Sequence, residues 1–355
     1  MLNIAIKKIQ ETLQEQQAAL IISQPNRFYL TGFSTSDGFV FITKKSEVFL
    51  TDSRYIEKAK AVVKSCKTML LDKGMPQILS LCKEENINKI YLETDFVSVG
   101  SFEKYKQVFE GIEVSNDTKI SDLILNLRSV KGENELKNIK EAQKLTDETF
   151  SYILERIEVG RTEKEIMLDM EFFMRRLGSE GVSFETIVVS GKNSSLPHGV
   201  PTNKKIENGD FITMDFGAVI KGYRSDMTRT VAVGSVSDDQ KAVYETVFRA
   251  QTKALEAIRS GVSCKDIDKI ARDIINKDYS GCFGHGLGHS VGIEIHESPS
   301  FSPRCDTILK PNMVMTVEPG IYLENKFGVR IEDMVFVTET GCENITKSNK
   351  NLIIL

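Results

Sequence analysis

DFITMDFGAVIKGYRSDMTRTVAVG, residues 210–234, reads as two β-strands folded about Lys221-Gly222. Both flanks carry the β-branched and aromatic residues of a strand, and a two-residue loop ending in glycine is the shortest connection that turns one strand back on the other. Pairing Ile220 with Tyr223 sets position 217 against 226 and 215 against 228. Asp215 and Asp226 then lie diagonally on one face, within reach of a shared cation. Aspartate is disfavoured inside strands, so two in one hairpin need a reason. The competing roles are a turn cap for Asp226 and an ion pair from Asp215 to Arg224 or Arg229.

Working outward, FGHGLGHSVGIEIHESPS, residues 283–300, holds His285, His289 and His296, and SSLPHGVP, residues 194–201, holds His198. These are all four histidines of the chain, each in a loop rich in glycine or proline. Rigid loops that present polar side chains are how sites are usually built. TVEPGIYLENKFGVRIEDMVFV, residues 316–337, adds two acids. Glu318 follows the apolar run NMVMTV, and alternation sets Arg330, Glu332 and Met334 on one strand face, where an Arg330–Glu332 ion pair is the competing role. A carboxylate at the mouth of an apolar strand is costly without a cation. The inventory Asp215, Asp226, His289, Glu318 and Glu332 is four carboxylates and one imidazole. That donor set suits two divalent ions bridged by carboxylates, with Mn, Co and Zn all acceptable.

Further from the hairpin, Glu133 to Val159 carries an apolar stripe at helical spacing with Gly160 as its stop, and Thr162-x-x-Glu165 opens a helix that ends near Gly178. Ser237-x-x-Gln240 opens another, and helices are expected at about 238–260 and 264–277. Upstream, AALIIS, FVFIT, EVFLTD, KIYLE and IEVS are strand-like, with helical spacing in YIEKAKAVVKSC and GMPQILSLCKEE between them. This alternation predicts an α/β domain with a partly parallel sheet over residues 1–128, and the histidines gathered downstream make residues 129–355 the expected catalytic domain.

Composition sets limits. With 355 residues and 46 basic against 50 acidic side chains, the formal charge is −4, which gives no long-range attraction to nucleic acid or acidic membrane. Tryptophan is absent, and four histidines are too few for a histidine-rich metal centre. The six cysteines stand far apart with no C-x-x-C, and MLNIAIKKIQETLQEQ has no apolar leader core, so packing thiols in a reducing cytoplasm are expected. No apolar run approaches the ~18 residues a membrane span needs.

In this order and spacing, SSLPHG, MDFGAVIKGYRSDMTRT, GHGLGHSVGIEIHE, TVEPGIY and GVRIEDM resemble the pita-bread metallopeptidase family of methionine aminopeptidases, Xaa-Pro aminopeptidases and prolidases. The resemblance spans roughly residues 133–350, while NRFYLTGF and TDSRYIEKA resemble the N-terminal domain of the proline-specific branch and of creatinase. It implies an α+β protein, with a C-terminal pita-bread catalytic domain preceded by a smaller α/β creatinase-like domain.

Residue by residue, the resemblance implies Asp215 as a ligand of one ion, Asp226 and Glu332 as bridges, and His289 and Glu318 as ligands of the second ion. His198 and His296 match substrate-side histidines that hold the tetrahedral intermediate and the scissile amide, and His285 lines the pocket. Glu318 also takes part in catalysis, and Tyr322 and Arg330 resemble partners of the metals and substrate. The implied reaction is hydrolysis of the bond between an N-terminal residue and a following proline. Implied with it are two divalent ions, manganese foremost with cobalt or zinc as alternatives, proline-containing peptides as substrate, and a homodimer or homotetramer. A methionine aminopeptidase shares the ligands but normally lacks such an N-terminal domain, and a non-catalytic peptide-binding module of this fold typically loses ligands. Arg304 and Arg330 are the candidate readers of a substrate's free carboxylate.

Overall fold

In the computed structural model, which describes residues 2–355 with side chains from Ile4 onward, the chain divides into two units, Met1–Arg128 and Ser129–Leu355. The first unit holds α1 (Leu2–Thr12), β1 (Gln17–Ile21), α2 (Gln24–Thr31), β2 (Phe39–Thr43), β3 (Glu47–Thr51), α3 (Ile56–Val62), β4 (Lys67–Leu70), α4 (Met75–Glu84), β5 (Lys89–Leu92), α5 (Val99–Val108), β6 (Glu113–Ser115) and α6 (Lys119–Ser129). Its six strands form one sheet in the order β4-β3-β2-β1-β5-β6. β1 pairs antiparallel with β2 and parallel with β5, so the sheet is mixed. Near-continuous apolar strands need cover on both faces. Ala19, Ile21, Val40 and Ile42 pack with α1 and α6 on one side, whereas Ala18, Leu20 and Phe41 pack with Ile78 and Cys82 of α4 on the other. β4 escaped the sequence reading because KTML is short, half exposed and carries little apolar signal.

The second unit holds α7 (Glu133–Leu154), α8 (Glu163–Arg176), β7 (Ile187–Ser190), β8 (Phe211–Phe216), β9 (Val219–Ile220), β10 (Tyr223–Arg224), β11 (Met227–Ala232), α9 (Asp238–Ala257), α10 (Cys264–Asn276), β12 (Gly288–Ser290), β13 (Glu297–Phe301), β14 (Val314–Val317), β15 (Gly320–Leu323), β16 (Phe327–Arg330), β17 (Asp333–Val337) and β18 (Cys342–Asn344). Two sheets organise it, β11-β8-β7 and β13-β12-β14-β17-β18. The capping boxes at Thr162 and Ser237 form as expected. Helix α7 stops at Leu154, short of the Gly160 expected as its end, because the chain then leaves to pair the Gly160 amide with the Ile206 carbonyl.

Each sheet is backed by a helix pair. Phe150, Ile153, Ile166, Met170 and Met174 of α7 and α8 pack on Ile212, Met214 and Phe216 of β8. Val243, Val247, Ile267 and Ile275 of α9 and α10 join Met315, Val317, Val335 and Val337 of β14 and β17 in a second cluster. Strand alternation sends the intervening residues the other way. Asp215, Thr316 and Met334 therefore turn from their helices toward the site, and Glu332, in the break before β17, meets Thr228 on the same side. Among the described residues all six cysteines are free, and no helix is long and apolar enough to cross a membrane.

Candidate active site

Ile220 faces Tyr223 and Asp215 faces Thr228, which is the register expected from the turn. Lys221 and Gly222 have φ of 48° and 75°, the paired left-handed conformation of a type I′ turn. At Gly217 a Cβ would stand 1.9 Å from the Ser225 carbonyl oxygen, so only glycine lets the strands approach there. That pinch divides the hairpin into the pairs β9–β10 and β8–β11, with the two aspartates at the division.

The second sheet brings the other donors. His289 Nε2 lies 3.5 Å from Asp226 Oδ2 and 3.4 Å from Glu318 Oε1. Ligand atoms of Asp226, His289 and Glu332 all fall within 4.8 Å of one another. Thr228 Oγ1 donates to Glu332 Oε2 at 2.7 Å, and Glu332 Oε1 is buried without a partner among the described residues. Asp215 Oδ1 is likewise buried and unpartnered among the described residues. Burial, then Glu332, Asp215 and Glu318, pushes the Asp226 carboxyl well above its ordinary range. Burial, then Glu318 and Asp215, does the same to Glu332. Burial, with a further push from Asp215, raises Glu318 to about 8 against the pull of Arg330.

His289 is held neutral, its value lowered to about 4 by burial and then by His296. Its Nδ1 lies 3.1 Å from the Ser290 carbonyl, which can only accept, so Nδ1 carries the proton. The Nε2 lone pair therefore points at two carboxylates. Acceptor facing acceptor, crowded acids and two orphaned oxygens are the pattern a divalent cation relieves, and neutral imidazole with carboxylate is the donor form it requires. The residues fit metal.

Around this cluster runs a second chain of bonds. Arg330 Nη2 donates to Asp215 Oδ2 at 2.7 Å, and Arg330 Nη1 donates to Tyr322 Oη at 2.9 Å and the Pro197 carbonyl at 3.1 Å. The Asp215 partner is thus Arg330, neither Arg224 nor Arg229, and the competing Arg330–Glu332 ion pair is not made among the described residues. Arg229 instead pairs with Asp333 and Arg224 donates to the Ile293 carbonyl. His285 Nδ1 lies 2.8 Å from the Gly286 carbonyl, so its Nε2 accepts from Tyr322 Oη at 2.9 Å. Burial, then the Arg330 charge, lowers His285 to about 4.

A cavity of ≈ 860 Å³ opens over these groups, within the size range of ligand pockets. All four histidines line it, with Phe184, Val200 and Ile295 as apolar wall. His296 meets His289 edge to face at 4.4 Å between ring centroids. Arg304 is exposed and lies outside the cavity walls, while the Arg330 guanidinium is committed to Asp215, Tyr322, Pro197 and Thr228. Sequence reasoning missed Glu163. Its fully buried carboxylate accepts from Ser190 N–H at 2.7 Å, Thr202 N–H at 2.9 Å, Thr202 Oγ1 at 2.6 Å and Asn193 Nδ2 at 3.1 Å, tying both ends of the His198 loop. As the first residue after an N-cap it carried no signal beyond a helix start.

The profile of metallopeptidase family M24 matches residues 137–339, which include every residue of this site, and that of the creatinase/prolidase N-terminal domain matches residues 6–130. The chain belongs to metallopeptidase family M24. An uncharacterized peptidase of Bacillus subtilis is 42% identical over 95% of both chains, and a Xaa-Pro dipeptidase of Pyrococcus horikoshii is 36% identical over 99% of both. Among solved structures, a Xaa-Pro dipeptidase from Bacillus anthracis superposes with a TM-score of 0.94 at 39% identity, covering 100% of this chain and 99% of its own. An X-Pro aminopeptidase from Thermotoga maritima gives 0.90 at 37% identity, covering 98% of this chain and 100% of its own. The M24 unit has the pita-bread fold and follows a creatinase-type N-terminal domain along the chain, and the protein is a metallo-exopeptidase.

Proposed function

We propose that this M24 enzyme hydrolyses the peptide bond between an N-terminal residue and a following proline, as a Xaa-Pro aminopeptidase or dipeptidase. The observation that carries the reading is the neutral His289 lone pair set among Asp226, Glu318 and Glu332 on the floor of a cavity that all four histidines line. The names of the relatives point to proline as the residue after the cleaved bond.

In this reading residues 129–355 form the catalytic domain. Asp215, Asp226, His289, Glu318 and Glu332 would hold two divalent ions, Asp215 at one, His289 and Glu318 at the other, with Asp226 and Glu332 shared. Manganese is the ion of choice, with cobalt or zinc as substitutes. When bound, such ions acidify the attacking water and polarise the scissile carbonyl. Arg330 keeps one Asp215 oxygen engaged and so aims the other inward. Tyr322, donating to His285, fixes the Arg330 fork from behind. His296 steadies the oxyanion that develops as the carbonyl is attacked. A proline nitrogen leaves only after protonation, and His198 on its Glu163-held loop delivers that proton. That proton comes from the attacking water by way of Glu318, which would also hold metal. The protein is taken to act in the cytoplasm as a homodimer or homotetramer, which light scattering after gel filtration tests.

The deciding assay compares Ala-Pro with Ala-Pro-Ala on manganese-loaded protein. Cleavage of either supports the reading and the preference sets the substrate length; inactivity on both rejects it.

A further inference from the structure

Lys131 is a buried cation outside the cavity. Its side chain is 1% exposed, and its ammonium donates to Ser290 Oγ and to Glu297 Oε2, each at 3.0 Å. Ser290 directly follows His289, and Glu297 directly follows His296. The same two residues face each other across the β12/β13 ladder, beside the irregularity between His289 and Ser290. One ammonium therefore touches the neighbour of each of two cavity histidines.

Both partners extend the hold. Glu297 Oε1 accepts from the Ile293 amide at 2.9 Å and the Glu294 amide at 3.2 Å, closing the loop that leads into His296. Gly292 lies so tightly against this carboxylate that a Cβ there would stand 2.6 Å from Glu297 Oε2. The Ser290 carbonyl receives His289 Nδ1, which determines where Nε2 points. Lys131 is itself anchored. Its amide donates to the Asn312 carbonyl at 2.9 Å, and the next residue, Gly132, donates to Glu135 Oε2 at 2.9 Å. Glu135 Oε1 in turn accepts from Tyr223 Oη at 3.1 Å, on the hairpin that carries Asp215 and Asp226. The segment 131–135 thus joins the aspartate hairpin to the histidine strands.

A buried ion pair is a poor way to gain stability, since a well-packed apolar pair does as well or better. What the pair adds is direction. We propose that Lys131 is a positioning residue, whose ammonium sets the edge-to-face arrangement of His289 and His296 by holding Ser290 and Glu297. The consequence for turnover rests on the Xaa-Pro peptidase reading, whereas the consequence for ring geometry does not.

With only four histidines, imidazole ¹⁵N labelling gives a ring spectrum that can be assigned residue by residue. The spectra are taken on the full chain without added metal, and turnover on the manganese-loaded protein. Lys131→Met should shift the ring signals of His289 and His296 and leave those of His198 in place. Its kcat should fall about 10–100-fold, the usual scale for partners behind metal ligands, with KM within about twofold. Ser290→Ala keeps the Lys131–Glu297 pair and is the milder variant. It should shift the His289 signals alone and lower kcat by a smaller factor, and it decides the matter if Lys131→Met does not fold. Wild-type ring signals in either folded variant, or a rise in KM with kcat unchanged, overturn the proposal. If the wild type cleaves neither peptide, the functional reading fails and the ring spectra still judge the positioning role.

Discussion

Asp226 and His198 stand for two kinds of residue in one cavity. Asp226 lies among the acids that fit a cation, and its replacement by Asn keeps the shape while removing a charge. We expect Asp226→Asn to lose at least one ion per chain by elemental analysis and to lower turnover at least ~100-fold, since even outer partners of metal ligands are worth 10–100-fold. His198→Ala should lower kcat by about 10²–10⁴, the range of general acid–base catalysis, with metal content unchanged. Metal loss in that variant would refute its assignment to substrate. His285 gives a pH prediction. Its ordinary value of 6.5 is lowered to about 4 in the folded chain, chiefly by burial. Between those values the unfolded chain binds a proton that the folded chain refuses, so stability is full above about 6.5 and falls as pH drops toward 4. His285→Gln should flatten the dependence of Tm on pH across that window.

Among elements, the aspartate hairpin was legible in advance because its turn leaves one register open. Once Lys221-Gly222 is the loop, Asp215 must face Thr228. The ion pairs were not legible, because Arg330 reaches Asp215 from another sheet and no local pattern encodes that distance. Nor did spacing show that Ile331 and Glu332 interrupt the strand expected through GVRIEDMVFV, which splits into β16 and β17 of different sheets. Glu163 was hidden for a similar reason: its donors Ser190, Asn193 and Thr202 come from a loop that only tertiary folding returns to α8. Glu163→Gln replaces one acceptor oxygen with a donor among donors. It should cost about 2–3 kcal/mol, read as a Tm lower by roughly 5–10 °C. Gly217→Ala places a methyl where 1.9 Å is available to the Ser225 carbonyl. We expect about 1–3 kcal/mol of overpacking and weaker metal uptake by calorimetry, because the strands that carry both aspartates must part.

For the whole molecule, the formal charge of −4 takes on meaning from the site. Four carboxylates, Asp215, Asp226, Glu318 and Glu332, stand together in it, so two divalent ions would bring the chain to about zero. Relief of their repulsion is available to the folded chain alone, and a ligand that binds only the folded state stabilises it by about 2.7 kcal/mol at a hundredfold excess over Kd. Manganese should therefore raise Tm and a chelator reverse the rise, with a smaller rise in the Asp226→Asn variant. An equal response in that variant would place the binding elsewhere.

The cavity also has an optical property. It opens to ≈ 860 Å³ in a chain that contains no tryptophan. At the long-wavelength edge of indole absorption, beyond the band of its nine tyrosines, the chain is silent. A peptide with tryptophan ahead of proline would be the sole indole in a titration, and its emission would follow entry, residence and release with neither partner labelled.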